Sequence, residues 1–275
     1  MDEKQWAQMR FPEAEALILY FTASRYCIPT FVHTMKKLKV LIVHNYSARR
    51  ATLSRLDVFN ALSQLKTLQL EKLTVSPLYD YFSFLESLQK LSLSLCEGLG
   101  DMSELGRDEF FNFPRLSEIN VDHCSDLEKL PKGLCFSNSM KKISVTNCHG
   151  LAKFPDELGN LGMLEVLRLC ACADLTELPA SVRSLRKLEF LDISLCGRLE
   201  RFPEGFHELS SLKKLDMREC CRLKPVSKTL GKLPSLKHVI CDKKNEHQLI
   251  CEANSTSNFT VEAVEQAFSL DWLYC

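Results

Sequence analysis

Neither sign of charge is in excess in this chain: 35 Lys and Arg stand against 35 Asp and Glu over 275 residues. A strongly basic domain is the electrostatic footprint of nucleic-acid binding, and the overall balance excludes it. Long apolar runs are missing as well, none approaching the ~18 residues that a membrane-crossing helix needs. The opening Met1-Asp2-Glu3-Lys4-Gln5-Trp6 lacks the basic flank and apolar core of a secretory signal, so a cytoplasmic or nuclear location is expected. There is no G-x-x-x-x-G-K-[ST] phosphate loop, since Gly231-Lys232 is followed by Leu233, and there is no G-x-S-x-G or H-E-x-x-H phrase. No cofactor and no enzymatic chemistry are therefore expected. The 13 cysteines contain no C-x-x-C pair, which argues against zinc, and a reducing compartment argues against a disulfide framework.

What is present is repetition. Leu116, Met140, Leu164, Leu188 and Leu212 open five copies of one phrase at a constant step of 24 residues, and Leu236 opens a fading sixth. Each opener is followed by an aliphatic residue three positions on (Ile119, Ile143, Leu167, Leu191, Leu215) and another two further (Val121, Val145, Leu169, Ile193, Met217). Then come a cysteine (Cys124, Cys148, Cys172, Cys196, Cys220) and a leucine (Leu127, Leu151, Leu175, Leu199, Leu223). This is the L-x-x-L-x-L-x-x-C-x-x-L unit of a leucine-rich repeat. Looser copies precede it, opening at Ala14, Leu38, Leu65 and Leu88 with steps of 24, 27, 23 and 28. In them Tyr46 and Leu73 stand in the cysteine slot before Cys96 takes it up. The longest step carries a polar, Gly-bearing insertion from Gly98 to Asp108.

The expected organisation is a lead-in over 1–13, about ten repeats over 14–245 and a C-terminal cap over 246–275. The cap reading rests on Phe259, Val261, Val264, Phe268, Leu270 and Trp272, because an open solenoid end exposes core. Alternation in Leu164-Glu165-Val166-Leu167-Arg168-Leu169 predicts a strand, each pairing in parallel with the next repeat's strand. The fold class is thus an α/β solenoid, a leucine-rich-repeat horseshoe with its parallel sheet on the concave side. Prolines 131, 155, 179 and 203 end the inward turns, and aliphatics three apart predict short 3-10 or helical returns. Ser137 interrupts one such triplet and predicts a looser return. Displacement of the proline to Pro225 predicts a different turn in the last full copy.

Register alone selects a candidate face. Val166, Arg168, Ala171, Phe190, Asp192, Leu195, Asp216 and Arg218 all point from strands or strand ends toward the concave side. A large apolar side chain on an otherwise polar open sheet has no folding reason to be there, and aromatics with arginines are what protein interfaces favour. Asp192 and Asp216 are read as charged anchors on an open face. The alternative is that Phe190 covers its sheet neighbours and binds nothing.

The C-x-x-L-x-x-L-P phrase resembles the repeats of plant intracellular immune receptors of the nucleotide-binding leucine-rich-repeat class. Val121-Asp122-His123-Cys124-Ser125-Asp126-Leu127, Leu191 to Cys196, Leu215 to Cys220, Val239 to Asp242 and the ending Phe268-Ser269-Leu270-Asp271-Trp272-Leu273 are similar to the C-terminal array of the helper receptors, the activated-disease-resistance and N-requirement branches. Phe11-Pro12, Leu17 to Leu19 and Met35 to Val43 resemble their first repeats. The resemblance implies a part that senses or scaffolds. Its implied partners are a lipase-like plant immune heterodimer or a receptor's own nucleotide-binding domain. The four-helix cell-death domain and nucleotide switch of such helpers are not in these residues, so nucleotide exchange does not carry over. A truncated regulator that competes with intact helpers is one expectation. A free-standing scaffold for an unrelated partner such as a ubiquitin ligase is the alternative, although no F-box-like segment stands at the start.

Overall fold

The computed structural model describes residues 9–75, 81, 84–99, 113–224, 227–243, 246, 249 and 259–264. In chain order the strands are β1 (Ala16–Phe21), β2 (Arg25–Cys27), β3 (Val40–Asn45), β4 (Ala51–Ser54), β5 (Thr67–Glu71), β6 (Leu73–Thr74), β7 (Lys90–Ser94), β8 (Glu118–Asp122), β9 (Lys142–Thr146), β10 (Val166–Arg168), β11 (Phe190–Asp192), β12 (Lys214–Asp216), β13 (His238–Asp242) and β14 (Thr260–Val264). Eleven of them form one sheet in the order β1-β3-β5-β7-β8-β9-β10-β11-β12-β13-β14, and β2-β4-β6 form a second. Every pairing is parallel. With parallel neighbours about 4.8 Å apart, the main sheet is about 48 Å across.

The cause is the period. A constant step returns the same position to the same place, so like residues stack: Leu167 opposite Ile143 and Leu191, Arg168 opposite Ser144 and Asp192. Leu41, Val43, Leu167 and Leu191 turn inward and are fully buried, while their alternate neighbours face outward. The ladder begins the same way in each unit, with two successive amides sharing one carbonyl of the preceding repeat. Lys141 and Lys142 donate to Ser117 O, and Glu165 and Val166 to Lys141 O.

Returns are 3-10 turns over Thr30–Thr34, Leu56–Ala61, Lys132–Phe136, Asp156–Asn160, Ala180–Ser184 and Phe206–Glu208. Pro131, Pro155 and Pro179 sit just before three of them with φ of −61°, −64° and −64°, the angle that the pyrrolidine ring imposes. The return at Ser137 is looser in its backbone bonds, the Ser137 amide lying 3.5 Å from Leu134 O and the Met140 amide 3.4 Å from Ser137 O, against 3.0 and 3.1 Å for Leu185 and Leu188 in a later copy, but a side-chain bond compensates. Ser137 is buried, its hydroxyl donates to Leu116 O at 2.6 Å, and the 3-10 turn keeps five residues like its neighbours. After Leu223 the return does differ, a single α-turn over Ser227–Leu230 replacing the 3-10 form. Pro225 itself lies outside the described residues, as do most of the Gly98–Asp108 insertion and Phe268, Leu270 and Trp272. Phe259 and Val261 pack on the core, and their segment enters the sheet as its eleventh strand, Val261 opposite Val239.

The cysteine column is internal. Cys96, Cys124, Cys148, Cys172, Cys196 and Cys220 are buried free thiols. Each donates to a carbonyl of the preceding repeat: Cys172 to Val145 O at 3.5 Å, Cys196 to Leu169 O at 2.8 Å and Cys220 to Ile193 O at 3.0 Å. A small side chain with one weak donor fits a buried turn carbonyl that the ladder leaves open. Burial raises the Cys220 thiol pKa, which keeps it a protonated donor.

Candidate partner-binding face

The residue before each cysteine bends the chain inward. Leu95, His123, Asn147, Ala171, Leu195 and Glu219 all have φ between 52° and 61°, in the left-handed region. For a residue with a Cβ that conformation costs roughly 1–2 kcal/mol. The ladder offsets it, since the Ala171 amide donates to Ser194 O at 2.8 Å and the Leu195 amide to Arg218 O at 2.7 Å. The bend drops the cysteine into the core and leaves Ala171 and Leu195 at the rim of the concave face. Leu195 is 49% exposed, one of the few large apolar side chains that is.

Val166, Phe190 and Lys214 occupy one row across β10, β11 and β12, and Arg168, Asp192 and Asp216 the next. The Phe190 ring is half-buried between two cations, with Arg168 Cζ 5.7 Å and Lys214 Nζ 5.5 Å from its centroid. Such contacts contribute about 0.5–1 kcal/mol at exposed sites and hold all three groups in place.

Asp192 and Asp216 differ from the sequence expectation. They are 6% and 4% exposed, not open acids on the sheet. The reason is local. As the strand ends, Asp192 Oδ1 accepts from the Ser194 amide at 3.0 Å and its hydroxyl at 2.6 Å, folding the carboxylate over its own turn. Asp216 Oδ1 likewise accepts the Arg218 amide. The remaining lone pairs hold guanidinium groups: Arg168 Nε lies 3.2 Å from Asp192 Oδ2, and Arg218 donates through Nε at 2.9 Å and Nη2 at 2.7 Å to Asp216. Carboxylates form the floor and guanidiniums the surface, so the side shown to solvent is cationic and apolar. The hydrogen bond to Asp216 also raises the Arg218 pKa.

The fold thus brings Val166, Arg168, Phe190 and Arg218 to one face with Ala171 and Leu195 at its rim, and assigns Asp192 and Asp216 to positioning. Lys214 adds a second cation beside Phe190, and its place in that row is legible from the 24-residue step. A second feature was missed. Tyr20, His44 and Tyr46 cluster on the first repeats, with ring centroids 5.5 Å apart for Tyr20–His44 and for Tyr20–Tyr46, and His44 Nδ1 sits 2.8 Å from Glu71 Oε2. Tyr46 stands in the cysteine slot by register but is exposed. Asn45 is buried instead, donating to Arg49 O at 2.8 Å and Lys72 O at 3.2 Å. Tyr20 at an outward position was the available signal; Tyr46, in an inward slot by register, gave none. Among the described residues no group of three or more His, Cys, Asp or Glu converges as metal ligands, and no helix is long and apolar enough to cross a membrane.

A long stacked parallel sheet, 3-10 returns behind it and inner leucine and cysteine columns define a leucine-rich-repeat solenoid. Residues 137–261 match the family model described as a leucine-rich repeat region. More particularly, the chain is similar to plant disease resistance proteins of Arabidopsis thaliana. It is 40% identical over 140 residues to Probable disease resistance protein At4g33300, covering 51% of this chain and 17% of that protein. It is 36% identical over 142 residues to Disease resistance protein ADR1, covering 51% and 18%, and 37% identical over 137 residues to Probable disease resistance protein At5g66890, covering 50% and 33%. The matched stretch therefore spans between about a sixth and a third of these relatives. Among solved structures, the leucine-rich repeat domain of the type III effector XCV3220 (XopL) superposes with a TM-score of 0.53 at 20% identity over 76% of each chain, a likeness of fold.

Proposed function

We propose that this chain is the partner-binding repeat module of a plant disease-resistance receptor, and that the units opening at Leu164, Leu188 and Leu212 hold the partner. The observation that carries this is Phe190, fixed between Arg168 and Lys214 on a concave sheet with exposed Leu195 at the rim. Groups already ordered lose little freedom on binding, and aromatic and arginine side chains are the usual interface anchors. Because Asp192 and Asp216 turn inward, the fitting surface is an apolar centre ringed by acidic residues. A lipase-like immune heterodimer is the partner that the resemblance to helper receptors points to, and a receptor's own nucleotide-binding domain is the other. The test is the double variant Phe190→Ala with Arg168→Glu, titrated against a purified lipase-like heterodimer by calorimetry. Affinity should fall by at least about tenfold, which is 1.4 kcal/mol, at a temperature where circular dichroism shows the variant still folded. Unaltered affinity would remove this face from the function.

A further inference from the structure

One row of outward positions runs through Lys90, Glu118 and Lys142 on β7 to β9 and on to Phe190, Lys214 and His238 on β11 to β13. Its lysines are treated unequally. Lys90 and Lys142 share the Glu118 carboxylate that stands between them, at 3.1 and 2.8 Å. Lys214 has Phe190 on one side and His238 on the other, and among the described residues no carboxylate lies within ion-pair distance of its Nζ. Its contact is the Phe190 ring, 5.5 Å away. Arg168 flanks the same ring from β10, meets Asp192 through Nε, and keeps an exposed guanidinium. β10 and β12 are two strand steps apart, so the two cations rise from strands about 9.6 Å apart with the ring between them. The backbone here offers nothing further. The sheet's amides and carbonyls are bonded along the ladder, so a segment laid on the face meets side chains alone. An extended segment would leave its own amides unpaired there, whereas a helix bonds its own backbone. Spacing points the same way. Seven helical residues rise about 10.5 Å and return to nearly the same side, matching the two strand steps. Same-side residues of an extended chain fall about 6.7 or 13 Å apart, and neither matches.

We propose, on the reading that the Phe190 face holds the partner, that the element seated there is an acidic amphipathic helix of that partner protein. Carboxylates at positions i and i+7 meet Arg168 and Lys214, and aliphatic residues at i+3 and i+4 cover Phe190 between them. The helix thereby gives Lys214 what Glu118 gives Lys90 and Lys142. Asp192 and Asp216 do not oppose it, because both carboxylates are turned in and already hold guanidinium groups.

The probe is a fluorescein-labelled stapled helix with Glu at i and i+7, Leu at i+3 and i+4 and Ala or Gln elsewhere, followed by anisotropy against the full chain. Saturable binding is expected, weakened at least about tenfold by Lys214→Glu, the scale of a reversed charge pair at an interface. Lys187→Glu makes the same charge change on an exposed lysine of the return side and should leave binding as it is. An unstapled peptide of the same composition interrupted by two prolines should not bind, nor should the stapled helix with both Glu replaced by Lys. Should Lys214→Glu lose its circular dichroism signal, Lys214→Gln replaces it, with a smaller loss of affinity in the same direction. Absence of binding to the full chain, equal binding of the proline peptide, or equal effects of Lys214→Glu and Lys187→Glu each overturns the proposal. The heterodimer titration keeps the two levels apart. If Phe190→Ala with Arg168→Glu loses the heterodimer while the stapled helix fails to bind, the face stands and the acidic helix falls; if the heterodimer is held unchanged, both fall.

Discussion

The repeats before Leu116 and those after it solve the same packing problem by different means. After Leu116 the step is constant, one thiol per unit bonds the previous repeat, and the chain turns within four residues, as in the Leu127 amide bonding Cys124 O. Proline follows four positions after that leucine, leaving space for only isolated bridges on the return side, Lys129–Lys153 and Glu177–Arg201. Before Leu116 the step varies, Asn45 and Leu73 fill the place of the thiol, and the longer excursions pair into the second sheet, β2-β4-β6. Regular spacing makes each unit interchangeable and lets a surface be composed in rows, as in Val166, Phe190 and Lys214. Irregular spacing demands local fixes, such as Asn45 bonding two carbonyls at once.

The sharpest way to break this comparison is to remove one leucine from each region. Leu191→Ala, fully buried between two like strands, should cost about 2–5 kcal/mol by chemical denaturation. Leu17→Ala, at the partly covered edge, should cost less than half as much, and equal losses would mean that the near end is as well packed as the middle. A smaller effect tests the slot. Cys196→Ala loses a buried donor to Leu169 O and should cost about 1 kcal/mol. Tyr46→Ala, same register but exposed, should change stability by under about 0.5 kcal/mol.

The smallest effect lies where the regions meet. Glu118 on β8 takes Lys142 at 2.8 Å and Lys90 at 3.1 Å, bridging the longest step. The Lys142 hydrogen bond, against the cost of burial and aided by Asn120 and Lys90, lowers its pKa from 4.5 to about 2. A carboxylate depressed on folding stabilises fully above about pH 4.5, and that contribution is lost as pH falls toward about 2. Screening limits it to about 0.5 kcal/mol, the scale of an exposed ion pair. Denaturation curves of Glu118→Gln should therefore match the wild type near pH 2 and fall slightly below it at neutral pH.

Much of this was legible in one dimension because the fold is nearly one-dimensional. A residue's inner or outer side, its neighbours at ±24 and the burial of Cys124 through Cys220 follow from period and alternation alone, since each unit touches only the units beside it. The candidate face was placed the same way. What register could not say is where a side chain goes once it leaves the strand. Asp192 and Asp216 were assigned to the open face because their Cα positions are there. Their carboxylates turn inward because an unpaired amide two residues on and a guanidinium alongside offer more than water does.

The amino-acid order by itself determined a stacked parallel sheet, its inner columns and the row that contains Phe190, because a fixed step and a two-residue alternation leave no other arrangement that buries the repeating aliphatic and cysteine columns. Only the tertiary structure decided that Ser137 bonds the preceding repeat, that Asn45 and not Tyr46 fills the second repeat, and that residues 260–264 join the sheet. Those outcomes depend on which backbone groups remain unpaired after stacking, a property of neighbours in space that no spacing along the chain records.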